Sequence, residues 1–206
     1  MTPAFDSFTD ALSRPDAAAG DAGDRFDPGE VTYLPPTTDR NSVFCAALNY
    51  RKHAEESGRS VPDRPYLFQK LPRSLVGHGE PISYHSTETD EIDYEGELAC
   101  VVGQSCRHVS ADDALEYVAG YTVLNDVSAR DLQLSFSYGN EDMVDWFAGK
   151  AMQSTTPIGP FVVCNEIDDP QDLAIASRVN GTTMQDESTG MMIYSVAELV
   201  SYVSSL

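Results

Sequence analysis

The segment Asp93-Tyr94-Glu95-Gly96-Glu97-Leu98 places two carboxylates one residue apart in a stretch that reads as extended chain. Side chains of a strand alternate between faces, so Glu95 and Glu97 point the same way, with Cα atoms about 6.5–7 Å apart. Two like charges at that distance repel unless a cation sits between them, and oxygen-only ligands select a hard ion such as Mg²⁺. The spacing alone is weak, because a chain with 33 acidic residues in 206 carries about five acid-x-acid spacings by chance. What separates this pair from a solvated acidic face is the apolar run Leu98–Val102, which sets the acids at the mouth of a buried strand. Asp126 has a similar setting. It follows the run Tyr121–Leu124 and precedes a helical segment, the kind of strand end where sites are built. A helix N-cap is the other reading of Asp126.

Two further groups complete a candidate acid–base set. In Asn49-Tyr50-Arg51-Lys52-His53-Ala54-Glu55-Glu56, His53 and Glu56 lie three apart on a helical turn and share a face. A carboxylate beside an imidazole orients it and raises its basicity, which suits a base that activates water; a surface His–Glu pair is the plainer alternative. Lys150 stands between a polar loop and the rigid Pro157-Ile158-Gly159-Pro160 start of a strand. There it reads as a cation for a developing oxyanion, or else as a solubility residue.

The composition bounds what these residues serve. The 13 Lys and Arg leave a net charge of −20 and a pI near 4.2, a field that repels nucleic acid and anionic membrane surfaces alike. A hydrophobic share of 41 % is too high for a disordered acidic chain. Lysine occurs only at Lys52, Lys70 and Lys150, and the acids spread along the whole chain. This suits a protein of a salt-adapted organism, since molar salt screens repulsion beyond about 3 Å. The four cysteines form no C-x-x-C pair, and three lie in apolar runs, so they read as core thiols of a reducing, cytoplasmic compartment. MTPAFDSFTD has the features of no signal peptide, and no run of 18 apolar residues suggests a membrane span.

The elements that must position these groups are short. Residues 1–40, rich in Ala, Asp, Gly and Pro, read as a tail or small irregular segment, and 41–206 as the catalytic domain. Strands are expected over Ser42–Leu48, Pro65–Lys70, Ile92–Val102, Tyr121–Val127, Pro157–Val163 and Ala174–Asn180, the last ending in a turn at Asn180–Gly181. Helices are expected over Asn49–Ser57, from Ser110 to Gly120, over Ser128–Leu134 and over Ser195–Ser205, with Ser135–Gly149 a mobile loop. Strands outnumber helices, so the fold class is α+β with a mixed sheet.

Several segments together resemble the fumarylacetoacetate hydrolase family: ALNYRKHAEE at 47–56, PYLFQKLPRSLVGHGEPI at 65–82 and DYEGELACVVG at 93–103, then GYTVLNDVSARDLQ at 120–133, DWFAGKAMQSTTPIGPFVV at 145–163 and VNGTTMQDESTGMMIYSVAELVSYVSS at 179–205. The resemblance implies a β-rich mixed, rolled sheet with short flanking helices, usually in a homodimer. It implies a Mg²⁺ or Mn²⁺ site on Glu95, Glu97 and Asp126, a water-activating dyad of His53 and Glu56, a water-positioning Gln133, and Lys150 facing the substrate oxyanion. The implied reaction is hydrolysis of a C–C bond in an acylpyruvate-like 2,4-dioxo acid through a metal-bound enolate. On the same scaffold the resemblance also implies, as alternatives, isomerisation of a carboxymethyl-hydroxymuconate, decarboxylation of oxaloacetate, or dehydration of a 2-keto-3-deoxy sugar acid.

The sequence departs from the family's pattern at Ala151 and Gln153, where the family has Ser and Asp. It also reaches Leu206 without the family's Pro-Gly-Asp strand and Gly-Thr-Pro loop. The expectation is a catalytic domain lacking its closing segment, with a non-catalytic metal-binding chain as the alternative.

Overall fold

A computed structural model describes residues 26–37, 41–86 and 88–206. Of the expected N-terminal segment, residues 1–25 and 38–40 lie outside the described residues; the remainder is irregular around one 3-10 turn at Pro28–Glu30. The regular elements, in order, are β1 (Val43–Ala47), α1 (Arg51–Glu56), β2 (Tyr66–Lys70), β3 (Leu75–Val76), β4 (Ile92–Asp93) and β5 (Gly96–Val102). They continue with β6 (Val118–Asn125), β7 (Ser128–Ala129), α2 (Arg130–Leu134), β8 (Phe136–Tyr138), β9 (Glu141–Met143), α3 (Trp146–Lys150), β10 (Thr156–Pro157), β11 (Ala174–Val179), β12 (Thr182–Ser188) and α4 (Val196–Ser204).

The fold is sheet-rich α+β, with mixed strand pairing and short helices. β5 and β6 form the central antiparallel ladder, with Gly96 opposite Asn125 and Glu97 opposite Leu124. Bridges from Tyr121 to Val163 and from Leu124 to Ile158 attach the 158–163 segment to β6, and β10 then pairs parallel with β3. β1 pairs antiparallel with β2, and β11 with β12. Close approach at the ladder needs Gly120, because a Cβ there would meet the Val163 carbonyl oxygen at 2.4 Å.

The apolar face of α4 supplies much of the core. Val196 and Val200 pack on Tyr121 and Ala114, burying the i, i+4 stripe that its sequence spells. Ser195 starts this helix with a full capping box, exchanging hydrogen bonds with Glu198. A second cluster joins Cys45 and Ala47 of β1 to Phe68 of β2, with Trp146 of α3 against it.

Several local expectations change. The helix expected from Ser110 is only a 3-10 turn at Ala114–Tyr117, because Val118 onward is taken into the β5–β6 ladder. The single strand Ile92–Val102 is two, since Ile92–Asp93 pairs with β7 while Gly96–Val102 pairs with β6. Ser128 and Ala129 form β7, so the helix expected from Ser128 begins at Arg130. The expected loop 135–149 holds the β8–β9 hairpin and α3, which Asp145 caps through the Ala148 N–H. Of the expected strand 157–163 only Pro157 is regular, together with Thr156 in β10, because Pro157 and Pro160 bring no N–H to a ladder. The Asn180–Gly181 turn is present, both residues left-handed at φ 50° and 82°, and it leads into β12, a strand without an apolar alternation to announce it.

Candidate functional site

The β5–β6 register builds the acidic centre. With Gly96 opposite Asn125, the next positions outward bring Glu95 beside Asp126, and the Asp126 N–H donates to the Glu95 carbonyl at 2.8 Å. Glu97, two residues along from Glu95, shares its face. One carboxylate oxygen from each of Glu95, Glu97 and Asp126 lies within 4.8 Å of the others. Like charges opposed across strands destabilise a sheet unless countered, and three cations are present to counter these.

Each cation has a defined partner. Lys150, 2 % exposed, donates to Glu95 Oε2 at 2.7 Å and to Asp126 Oδ2 at 2.8 Å. Lys70, also buried, donates to Asp126 Oδ1 at 2.5 Å and to the Val127 carbonyl at 3.1 Å. Arg130 spreads its fork over three acceptors: Asp93 Oδ2 at 2.9 Å, Gln133 Oε1 at 3.0 Å and Glu95 Oε1 at 2.6 Å. Burial alone would lower the Lys150 ammonium, but Asp126 and Glu95 outweigh it and hold it charged.

Glu97 stands apart. Among the described residues its carboxylate makes no hydrogen bond or ion pair, while Glu95 and Asp126 each have both oxygens engaged. Burial, and then the charges of Asp126 and Glu95, push its carboxyl from 4.5 to about 8. An acid pushed up by burial and by two neighbouring acids, with nothing donating to it, fits an oxygen-ligated divalent cation, whose charge would replace the proton. The donor set therefore fits Mg²⁺ or Mn²⁺ and does not separate them.

Glu95, Glu97, Asp126, Lys150, Gln133 and His53 all wall one cavity of about 1120 Å³. Gln133 is buried on α2, where Gly149 of α3 packs against it so closely that a Cβ there would fall 2.5 Å from Gln133 Cβ. His53 is solvent-exposed on α1, which is tied to β12 by the Lys52–Glu187 ion pair. Glu56 is exposed on the same helix, is not part of the cavity wall, and no hydrogen bond joins it to His53 among the described residues. The Trp146 ring stacks on Phe68 at 4.5 Å and donates to the Tyr66 hydroxyl, fixing α3 and with it Lys150, whose ammonium lies 5.3 Å from the Phe68 ring centre.

Three contributors are absent from the expected set. Lys70 and Arg130 carry family-like sequence around them, and the scarcity of lysine marks Lys70, but their roles depend on contacts across 56 and 35 residues of chain. Tyr50 also walls the cavity; burial and then the Glu97 charge push its phenol up to about 12. Cys45 is no nucleophile here, because burial and the charges of Asp126 and Glu97 raise its thiol well above the ordinary range.

The chain is similar to several known proteins. The chain is 38 % identical over 175 residues to oxaloacetate tautomerase YisK of Bacillus subtilis, covering 84 % of this chain and 56 % of that protein. Among solved structures, 5-carboxymethyl-2-hydroxymuconate delta-isomerase of Mycobacterium smegmatis superposes with a TM-score of 0.74 at 33 % identity, over 89 % of this chain and 69 % of that one. Fumarylpyruvate hydrolase of Pseudomonas aeruginosa, solved with Mn²⁺ and pyruvate, gives 0.70 at 32 % identity, over 88 % and 81 %. The chain spans 54 % to 66 % of the length of the curated relatives it matches. No helix among the described residues is long and apolar enough to cross a membrane. Because the model of the fumarylacetoacetate hydrolase C-terminal domain matches residues 42–206, the chain belongs to the fumarylacetoacetate hydrolase family.

Proposed function

We propose that this chain carries the site of a metal-dependent enzyme that enolises a 2-oxo acid, and that its reaction is hydrolysis of the C–C bond of an acylpyruvate-like 2,4-dioxo acid. The observation behind the reading is the convergence of three carboxylates, a buried lysine and an exposed histidine on one cavity. A divalent ion on Glu95, Glu97 and Asp126 would supply Lewis acidity toward the substrate's carboxylate and 2-oxo oxygens. Lys70, Arg130 and Lys150 fix the orientation of Glu95 and Asp126, so little rearrangement is needed on binding.

In the proposed sequence, His53 takes a proton from water, and the hydroxide oxygen bonds to the distal carbonyl carbon. Lys150 has three N–H donors and commits two to Glu95 and Asp126, leaving the third for the oxyanion that forms. The C–C bond then breaks, its electron pair passing to the carbon beside the 2-oxo group. His53 returns the proton it took from water to that carbon, which completes a carboxylic acid and pyruvate and restores the neutral imidazole. Gln133, held by Arg130, lines the path on which the water would stand.

A second reading is oxaloacetate tautomerisation, favoured by the 38 % identity to a tautomerase and by the lack of a hydrogen bond between His53 and Glu56. It needs only a proton moved between oxygen and carbon. The two readings separate on a panel of an acylpyruvate and oxaloacetate, each with Mg²⁺ or Mn²⁺. Loss of diketone absorbance with release of pyruvate supports hydrolysis. Enol–keto conversion of oxaloacetate with an inert acylpyruvate supports the second reading and overturns the first. His53→Ala is expected to abolish turnover while leaving Mn²⁺ binding intact, and full activity in that variant would refute the role given to His53.

A further inference from the structure

Two polar side chains without a hydrogen-bond partner among the described residues, Tyr50 and Glu97, wall the same cavity. The Tyr50 hydroxyl is buried and has no hydrogen-bond acceptor among the described residues. The Glu97 carboxylate has no donor, and it is the only carboxylate whose charge bears on the Tyr50 phenol. A buried hydroxyl without a partner is costly, and such groups in native structures call for an explanation beyond packing.

The position of Tyr50 in the fold adds to this. It occupies the N-cap of α1, where a side-chain oxygen ordinarily accepts from the first turn, yet it makes no capping bond. Its backbone is nevertheless firmly placed. The preceding Asn49 side chain donates to the Tyr194 carbonyl at 2.9 Å and accepts the Tyr194 N–H at 3.0 Å, while the Asn49 carbonyl accepts from Ile193 at 2.7 Å. Tyr50 itself bridges to Met192 in antiparallel fashion. Nothing in the capping or packing asks for a hydroxyl at this position; a phenylalanine would serve.

The other two acids of the trio show what is missing. Glu95 is oriented by Arg130 and Lys150, and Asp126 by Lys70 and Lys150. Glu97 alone lacks such a partner. We propose that Tyr50 is the positioning residue for Glu97, its hydroxyl donating to the carboxylate when a divalent cation occupies the trio. This rests on the reading that Glu95, Glu97 and Asp126 hold such an ion. Outer partners of ligating groups typically set metal affinity by 10–100-fold, and one neutral donor stands at the lower end of that range.

The test is Tyr50→Phe, which removes one oxygen and keeps the ring. Mn²⁺ binding is measured by calorimetry, and thermal unfolding is followed with and without Mn²⁺. The expected result is a loss of about tenfold in Mn²⁺ affinity and a smaller rise in melting temperature on adding Mn²⁺, while the metal-free melting temperature is unchanged or higher. A hydroxyl with a purely structural role would instead lower the metal-free melting temperature and leave Mn²⁺ affinity alone, which overturns the inference. Equal Mn²⁺ affinity in the wild type and the variant overturns it as well. If the wild type binds no Mn²⁺, the metal-site reading itself fails, and this inference fails with it.

Discussion

Lys70 and Asp126, 56 positions apart in the chain, meet at 2.5 Å with side chains 0 % and 1 % exposed. Lys150 holds the opposite oxygen of the same carboxylate. Asp126 is thereby clamped between two ammonium groups, one wholly inside the protein and one on the cavity wall. The arrangement divides the work. Lys70 neutralises and orients the acid from behind, and Lys150 keeps a free donor for the cavity.

Removing the rear member should be costly. Breaking a buried ion pair from one side typically costs 3–5 kcal/mol, and because Lys150 stays on Asp126, Lys70→Met is expected near the lower end, about 3 kcal/mol. Urea unfolding of the metal-free protein measures it. A change under about 1 kcal/mol would mean that the clamp does not hold the fold as described.

Glu97 makes metal binding depend on pH. Its carboxyl stands at about 8 in the folded chain against 4.5 ordinarily, so the folded state binds its proton more tightly than the unfolded state does. The metal-free protein should therefore lose stability as pH rises from 4.5 toward about 8, with the loss complete above that. Mn²⁺ must displace the same proton, so its affinity should climb up to about tenfold per pH unit over the upper part of this range and level off beyond about 8. Calorimetric titrations across the range check this, and an affinity flat from the acidic side through pH 8 would contradict it.

Gly149 is expected to resist substitution. Alanine normally favours a helix over glycine by about 1 kcal/mol, but here its Cβ would fall 2.5 Å from Gln133 Cβ and 2.9 Å from Gln133 Cα. The overlap has to be relieved by separating α2 from α3, at a cost of about 1–3 kcal/mol. Gly149→Ala should lower the melting temperature and weaken Mn²⁺ binding by shifting Lys150. A melting temperature at or above that of the parent would show that the helices separate freely.

The net charge of −20 predicts a salt response. Acids outside the cavity repel one another across the surface, and ions screen that repulsion within about 3 Å at molar strength. Melting temperature should rise steadily from low to molar KCl. Equal stability at both ends would remove salt adaptation as the reason for the composition.

Much of the centre was legible because it is local. Glu95 and Glu97, two apart, converge with Asp126, and His53 reaches the same cavity, whereas Glu56, three residues further on, neither joins the cavity wall nor bonds to His53 among the described residues. The capping box at Ser195, the apolar stripe of α4 and the turn at Asn180–Gly181 are short-range as well, and the structure keeps all three. The expectations that changed lie where long-range pairing competes with local preference. The stretch after Ser110 has helical signals, yet the β5–β6 ladder claims its end, and within the polar segment 135–149 a local hairpin forms and α3 packs on α2 and β2.

By itself, then, the sequence determined the donor types: a hard, oxygen-only acidic set, a histidine on a helix, and few cations to set against 33 acids. The tertiary structure alone decided which acids converge and how they are held. Strand register brings Asp126 beside Glu95, and the fold sets Lys70, Arg130 and Lys150 on Glu95 and Asp126, while Glu97 is left without a donor among the described residues. The physical reason is that residue type and spacing act over a few bonds, whereas desolvation and charge pairing depend on groups that meet only after distant strands have paired.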